Sequence, residues 1–257
     1  MISFISQRAP FLLGIIALFH SPLGAATPST VDPHTIVSQQ FLMGQFNARK
    51  HASFIKINKK YASRSGMYMQ KLPYEAFRAM HADAKQSGIT LRILSASRSF
   101  NHQKSIWEAK WNGERKVGGI RNIKRSIKNP TQRALKILEY SSMPGSSRHH
   151  WGTDIDLNSF TNSYFEKGKG KKIYSWLVKN APRYGFCQPY TPQNQSRPHG
   201  YNEEKWHWSF KPLSASYTQQ ARSSLNDGIF RGFDGAKTAT RIGIINRYVL
   251  GIHANCY

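Results

Sequence analysis

SSRHHWGTDIDLN, residues 146–158, gathers two histidines and two aspartates beside a tryptophan and a glycine, in a chain that has few acids elsewhere. Period two along GTDIDLN sets Asp154, Asp156 and Asn158 on one face and Thr153, Ile155 and Leu157 on the other. A strand of that kind sends its apolar face into a core and turns its acidic face toward a cleft. His149 stands just before Gly152, where a glycine-permitted turn can fold the imidazole back toward the acidic face. Two readings compete. One is a polar turn with a strand behind it; the other is a metal ion, because neutral imidazole nitrogen and carboxylate oxygen are both good zinc ligands.

A catalytic zinc site needs a third protein ligand and one position open for water. YNEEKWHWSF, residues 201–210, offers His207 between Trp206 and Trp208. On a regularly pleated strand both indoles face the core and the imidazole faces the cleft. Glu204 lies three positions earlier, so it reaches the same side only if the chain bends or bulges before His207. Its role there is general base toward a water whose pKa a metal lowers. Taken singly these are weak signals, since a histidine beside tryptophans is more often a core residue. Together they supply every part of a water-activating site.

Working outward, PYEAFRAMHADAKQSG (residues 73–88) places Phe77, Met80 and Ala84 on one helical face, with Pro73 near its start and Gly88 as its stop. ITLRILSA then alternates as a half-buried strand, and SRSFNHQKSIWEAKW runs from it into another helix. The Gly-rich, basic segment 112–130 reads as an exposed loop, and TQRALKILEY as a short helix. KKIYSWLVKNAPRYG has helical spacing through Ile173, Trp176 and Leu177, while GFCQPY and EKWHWSF read as strands. Short connections between the later strands favour antiparallel pairing, so the expected fold class is α+β, a mostly antiparallel sheet flanked by helices.

The chain has 257 residues, enough for one substantial core. At its start, MISFISQR carries Arg8, APFLLGIIALF is an apolar run and GAA supplies small residues for cleavage, the pattern of a secretory signal peptide over residues 1–26. The run is short of the roughly 20 apolar residues of a spanning helix, so no transmembrane span is expected after cleavage. The remainder, 27–257, reads as a single domain with a C-terminal extension over 213–257 that packs on the core. Formal charge is +24, and removing the leader with its single arginine leaves +23. Clusters at 48–64 and 116–128 would attract polyanions, and for an exported chain anionic envelope polymers are the expected class. Charge alone also suggests nucleic acid, but no nucleic-acid fold motif accompanies it and no specific nucleic-acid partner is expected. Cys187 and Cys256 are either a bridge, worth roughly 4 kcal/mol across so long a loop, or two free buried thiols.

Three segments carry a family resemblance. Ser147, His149, Gly152 and Asp156 fill a Ser-x-His-x-x-Gly-x-x-x-Asp pattern, and Glu204, Trp206 and His207 fill Glu-x-Trp-His. SASRSFNHQ supplies Ser95, Arg98, Ser99 and Gln103 for Ser-x-x-Arg-Ser-x-x-x-Gln. Over about residues 70–212 the chain resembles the VanY-like zinc D-alanyl-D-alanine carboxypeptidases, of the group with lysostaphin-type peptidases and the Hedgehog domain. The resemblance implies zinc on His149, Asp156 and His207, with Glu204 as base. It also implies Arg98 on the substrate carboxylate or the scissile carbonyl, and Ser147 and Gln103 on the substrate side, Gln103 chiefly as support for the Arg98 loop.

The implied activity is removal of the terminal D-alanine from peptidoglycan stem peptides. The rivals are an endopeptidase on the same chemistry and a non-catalytic cell-wall binding module, against which the presence of Glu204 argues. Two departures stand out. Asp154 replaces a small residue of the family and either orients a ligand histidine or competes for the metal. Ser97 replaces an aromatic and reshapes the cleft. His150 fits no family role and reads as structural or solvent-facing.

Overall fold

The computed structural model describes Met1 and residues 35–257. The signal peptide expected over residues 1–26 falls on the stretch outside the described residues. Four strands, β3 (Ile93–Ser95), β4 (Asp154–Leu157), β5 (Phe186–Cys187) and β6 (His207–Phe210), form one sheet in the order β3-β4-β6-β5. A separate pair joins β1 (Phe54–Lys56) to β2 (Tyr68–Gln70). Every pairing between these strands is antiparallel, and the expectation from short connections applied only to the later strands, since β3, β4 and β6 pair across long intervening segments. Helices α1 (Gln39–Leu42), α2 (Lys71–Gln86), α3 (Phe100–Trp111), α4 (Ile123–Ser126), α5 (Pro130–Ile137), α6 (Gly168–Asn180), α7 (Lys211–Ser224) and α8 (Ala239–Ile242) surround the strands, and the class is α+β.

Local chemistry accounts for the main helices. In α2 the residues Phe77, Met80 and Ala84 are fully buried along one stripe, and each large apolar side chain so buried contributes about 1.5–3 kcal/mol. The helix stops at Gly88, whose φ of 71° lets Ile89 N–H reach back to the Ala84 carbonyl at 2.8 Å. Ser99 caps α3 by accepting from His102 N–H, and Gln103, Trp107 and Trp111 form its buried stripe. Asn129 caps α5, with Pro130 opening its first turn. Helix α6 buries Ile173 and Leu177, leaving Trp176 only partly covered.

Several expectations need correction. Only Ile93–Ser95 of the 89–96 segment pairs in the sheet, although Ile89 and Leu91 are buried. The segment 112–130 is not simply an exposed loop: Ile123 is fully buried, Val117 is buried, and α4 forms inside it. Two apolar anchors among basic residues show no period, so only their tertiary packing reveals them. Trp208 and Trp206 are both buried in the core as expected, but Trp206 precedes β6 and also lines the cleft, 6.2 Å from the Tyr140 ring. The strand starts late because the chain turns between Glu204 and His207, with His207 N–H donating to the Glu204 carbonyl at 3.2 Å.

The C-terminal segment packs back on the core, with α7 against α1 and β6. Cys187 and Cys256 form a disulfide across 69 positions. His253 N–H also donates to the Pro189 carbonyl at 2.9 Å, so the tail is held beside β5 by a covalent and a hydrogen-bonded tie.

Candidate metal centre and cleft

Strand β4 lies between β3 and β6, and its register sets Asp156 opposite His207 and Asp154 opposite Ser209. Residues directly opposite share a face, so alternation along β4 and pairing with β6 bring both carboxylates to the His207 ring. Asn158 leaves that face at φ 63°, and its side chain closes the strand end on Thr90 and Arg92. A 3-10 turn over Arg148–Trp151 brings in His149 and ends at Gly152, φ 70°. A Cβ on Gly152 would stand 2.3 Å from the Phe54 ring, so both the backbone angle and the packing require glycine there.

The buried rings of His149 and His207 lie with centroids 4.7 Å apart. His149 Nδ1 is 2.9 Å from the Ala96 carbonyl. A carbonyl only accepts, so Nδ1 carries the proton and Nε2 presents a lone pair, 3.2 Å from Asp156 Oδ2. His207 Nε2 meets Asp154 Oδ2 at 2.9 Å, while Nδ1 faces Glu204 Oε2 at 3.1 Å and Asp156 Oδ1 at 3.3 Å. One donor atom each from His149, Asp156 and His207 lies within 4.8 Å of the others. His149 Nε2 and Asp156 Oδ1 are buried without a hydrogen-bond partner. Unsatisfied buried polar atoms are costly, and two imidazole nitrogens with a carboxylate oxygen fit zinc.

The electrostatics follow from this crowding. Burial and then the Arg98 charge push His149 down to about 4, which keeps it neutral. Burial also opposes charge on His207, yet hydrogen bonds to Asp154 and Glu204 and the nearby carboxylates outweigh it and lift the ring to about 9. Without a metal His207 is therefore an imidazolium among three acids. Burial drives Glu204 upward, with His207 opposing, which makes it a stronger base than an exposed carboxylate.

Arg98 reaches the same place from the turn before α3. Its N–H donates to the His149 carbonyl, Nη1 donates to Gln103 Oε1 at 3.0 Å, and Nη2 is 3.7 Å from Asp156 Oδ2. Fully buried Gln103 in turn donates to the Ser142 carbonyl, so it tethers Arg98 and does not line the cleft. Ser147 is buried with Oγ unpartnered and is likewise absent from the cleft lining. The cleft itself, about 650 Å³, is lined by Arg98, Asp156, Glu204 and Trp206 among others. A larger groove of about 890 Å³ between α2 and α6 holds none of the candidate ligands, so volume alone does not identify the site.

Sequence reasoning missed the support of Asp154. Arg148, with its side chain fully buried, donates from Nε to Asp154 Oδ2 at 3.1 Å and from its other nitrogens to Thr218 and Ser209. Thr153 and Ser209 hydroxyls donate to Asp154 Oδ1. Asp154 thus faces the far nitrogen of His207 and leaves Nδ1 for the ligand cluster. The signal available was an unmatched arginine and an unmatched aspartate six positions apart. His150 is not solvent-facing: Nδ1–H donates to the Arg98 carbonyl at 2.7 Å and Nε2 accepts from Gly145 N–H at 3.1 Å, fixing the backbone that carries Arg98.

An antiparallel sheet that sets two imidazoles, a carboxylate and a buried glutamate at one cleft has the parts of a metal-dependent hydrolase. The sequence model of VanY, D-alanyl-D-alanine carboxypeptidase, matches residues 66–213, and the chain belongs to that family. It is 28% identical over 142 residues to YodJ of Bacillus subtilis, named as a carboxypeptidase, covering 54% of this chain and 45% of that one. It is 26% identical over 133 residues to a D-alanyl-D-alanine carboxypeptidase of Enterococcus faecalis, covering 52% and 44%. The match thus spans less than half the length of these relatives. Among solved structures, VanYB in complex with D-alanine-D-alanine aligns at 19% identity and TM-score 0.49, covering 69% of this chain and 87% of that one. The LdcB LD-carboxypeptidase aligns at 22% and 0.48, covering 67% and 74%.

Proposed function

We propose that this chain is an exported zinc D-alanyl-D-alanine carboxypeptidase that removes the terminal D-alanine from peptidoglycan stem peptides, with residues 27–257 as its one domain. The observation that carries the reading is the convergence of His149, Asp156 and His207 donor atoms within 4.8 Å, beside buried Glu204. Membership of the VanY family supplies the substrate class, and the leader-like start supports export.

In this mechanism His149, Asp156 and His207 would hold the zinc, which when bound would supply Lewis-acid chemistry toward the scissile carbonyl and the attacking water. Glu204 takes the proton of that water; its burial keeps the carboxylate basic enough to do so. The same carboxyl then returns the proton to the departing amine. Arg98, tethered by Gln103, directs guanidinium N–H groups at the negative charge that develops on the carbonyl oxygen. Asp154 keeps His207 in the orientation that points Nδ1 inward.

The test is mass spectrometry of purified muropeptides incubated with the zinc-loaded protein. Loss of one alanine residue from pentapeptide stems, abolished by a C-terminal amide, is the expected result. Cleavage inside the stem or of a cross-link would replace the carboxypeptidase reading with an endopeptidase one. No change in any muropeptide would leave a binding module.

A further inference from the structure

The cleft wall beyond the ligand cluster is cationic, and nothing in the proposed mechanism uses that charge. Lys110, on the last turn of α3, extends into the cleft and donates from Nζ to Ser141 Oγ. Arg115 follows the helix and lines the same wall, and Arg64 stands on the cleft as well. The acids of the lining are Asp156 and Glu204, and both are engaged with His149 or His207. Among the described residues, none of Arg64, Lys110 or Arg115 has a carboxylate partner within ion-pair distance. The wall therefore carries more positive charge than one C-terminal carboxylate can match. A half-buried ammonium has three donors, and with Ser141 taking one the others remain to meet an anion in the cleft.

Lys110 also feels this environment. Burial first, then the charges of Arg115 and Arg98, push it down to about 8, with Glu204 pulling the other way. An anion docked between Lys110 and Arg115 would relieve both the desolvation and the repulsion.

We propose that Lys110, Ser141 and Arg115 form a subsite for a second free carboxylate, so that the preferred substrate is a peptide bearing a side-chain carboxylate near the scissile bond in addition to its C-terminal one. This rests on the carboxypeptidase reading and narrows it to stems whose diamino acid is a diacid with its side-chain carboxylate free, in preference to stems where that group is amidated. The lysine supplies a charge-assisted donor, the serine hydroxyl a neutral one, and Arg115 an exposed guanidinium on the lining.

The experiment compares two synthetic pentapeptides, identical at the D-alanyl-D-alanine end, that carry diaminopimelate with its side-chain carboxylate either free or amidated. For the zinc-loaded protein the ratio of kcat/KM values should favour the free acid by about tenfold, the effect of one charge-assisted hydrogen bond. Lys110→Met should bring that ratio to within about twofold of unity, and Lys110→Arg should keep most of it. Ser141→Ala, a smaller change at the same spot, should lower the ratio part of the way. A ratio near unity in the unmodified protein, or one that Lys110→Met leaves in place, overturns the subsite.

Calorimetric binding of the same two peptides to the zinc-loaded Glu204→Ala variant separates the two claims. A binding preference for the free acid with no turnover by the unmodified protein would sink the carboxypeptidase reading and keep the subsite. Equal binding of the two peptides would sink the subsite whatever the turnover.

Discussion

Asp154 and Asp156 stand two positions apart on one face of β4, yet their surroundings give them different work. Asp156 keeps an unpartnered oxygen toward the cluster, whereas Asp154 is saturated by Arg148, Thr153, Ser209 and His207. Asp154→Asn should weaken zinc binding by about 10–100-fold, measured by chelator competition, because it loosens the partner that orients His207. It should also lower unfolding free energy by about 3 kcal/mol or more, since the Arg148 charge would stay buried without its counter-ion. Glu204→Ala should leave zinc content intact and abolish turnover, while His207→Ala should lose both, as read by metal analysis and peptide assay. His207 also predicts a pH effect. Its folded pKa of about 9 lies above the ordinary 6.5, so the metal-free protein holds this stabilisation fully below about pH 6.5. It is lost as pH rises through about 9. Thermal melts of chelator-treated protein should therefore fall across that window, and zinc affinity should rise across it as the competing proton leaves.

At the scale of elements, the site depends on a turn and a register. Alternation in GTDIDLN was legible in the sequence, whereas the bend that brings Glu204 to His207 was there only a condition for its role. Which residue of β6 would oppose Asp156 was not, because antiparallel register is set by long-range packing of Ile155 and Trp208 into the core. The 3-10 turn that carries His149 closes through Gly152. Gly152→Ala should cost about 2–4 kcal/mol in urea unfolding, combining left-handed strain with a clash against Phe54. Because His149 sits on that turn, zinc content should fall with it. The helical stripes of α2, α3 and α6 were readable from spacing. The buried anchors Val117 and Ile123 were not, since isolated apolar residues among lysines and arginines leave no periodic trace.

Across the whole molecule, the tail closes the fold. Cys256 lies on the last turn of the chain and Cys187 on β5, so the bridge ties the C-terminal extension to the sheet that carries the site. Replacing both cysteines with serine should lower unfolding free energy by about 2–5 kcal/mol, measured by denaturant titration in the absence of reductant. The basic composition has two distinct spatial outcomes. Much of it is solvent-facing, as on the groove between α2 and α6 where Lys171, Lys172, Lys179 and Arg183 gather. Another part, Arg148 and Arg98, turns inward to neutralise carboxylates that the sheet has buried.

The sequence by itself determined which faces of its segments are apolar and which atoms could bind a cation, because side-chain periodicity and donor chemistry are local properties. It also made the family pattern visible through residues spaced along those segments. Only the tertiary structure decided which His207 nitrogen faces the cluster, that Arg148 neutralises Asp154, and that Lys110 reaches the cleft. These are contacts between segments distant in the chain, and their distances are fixed by core packing and strand register, quantities that no local pattern encodes.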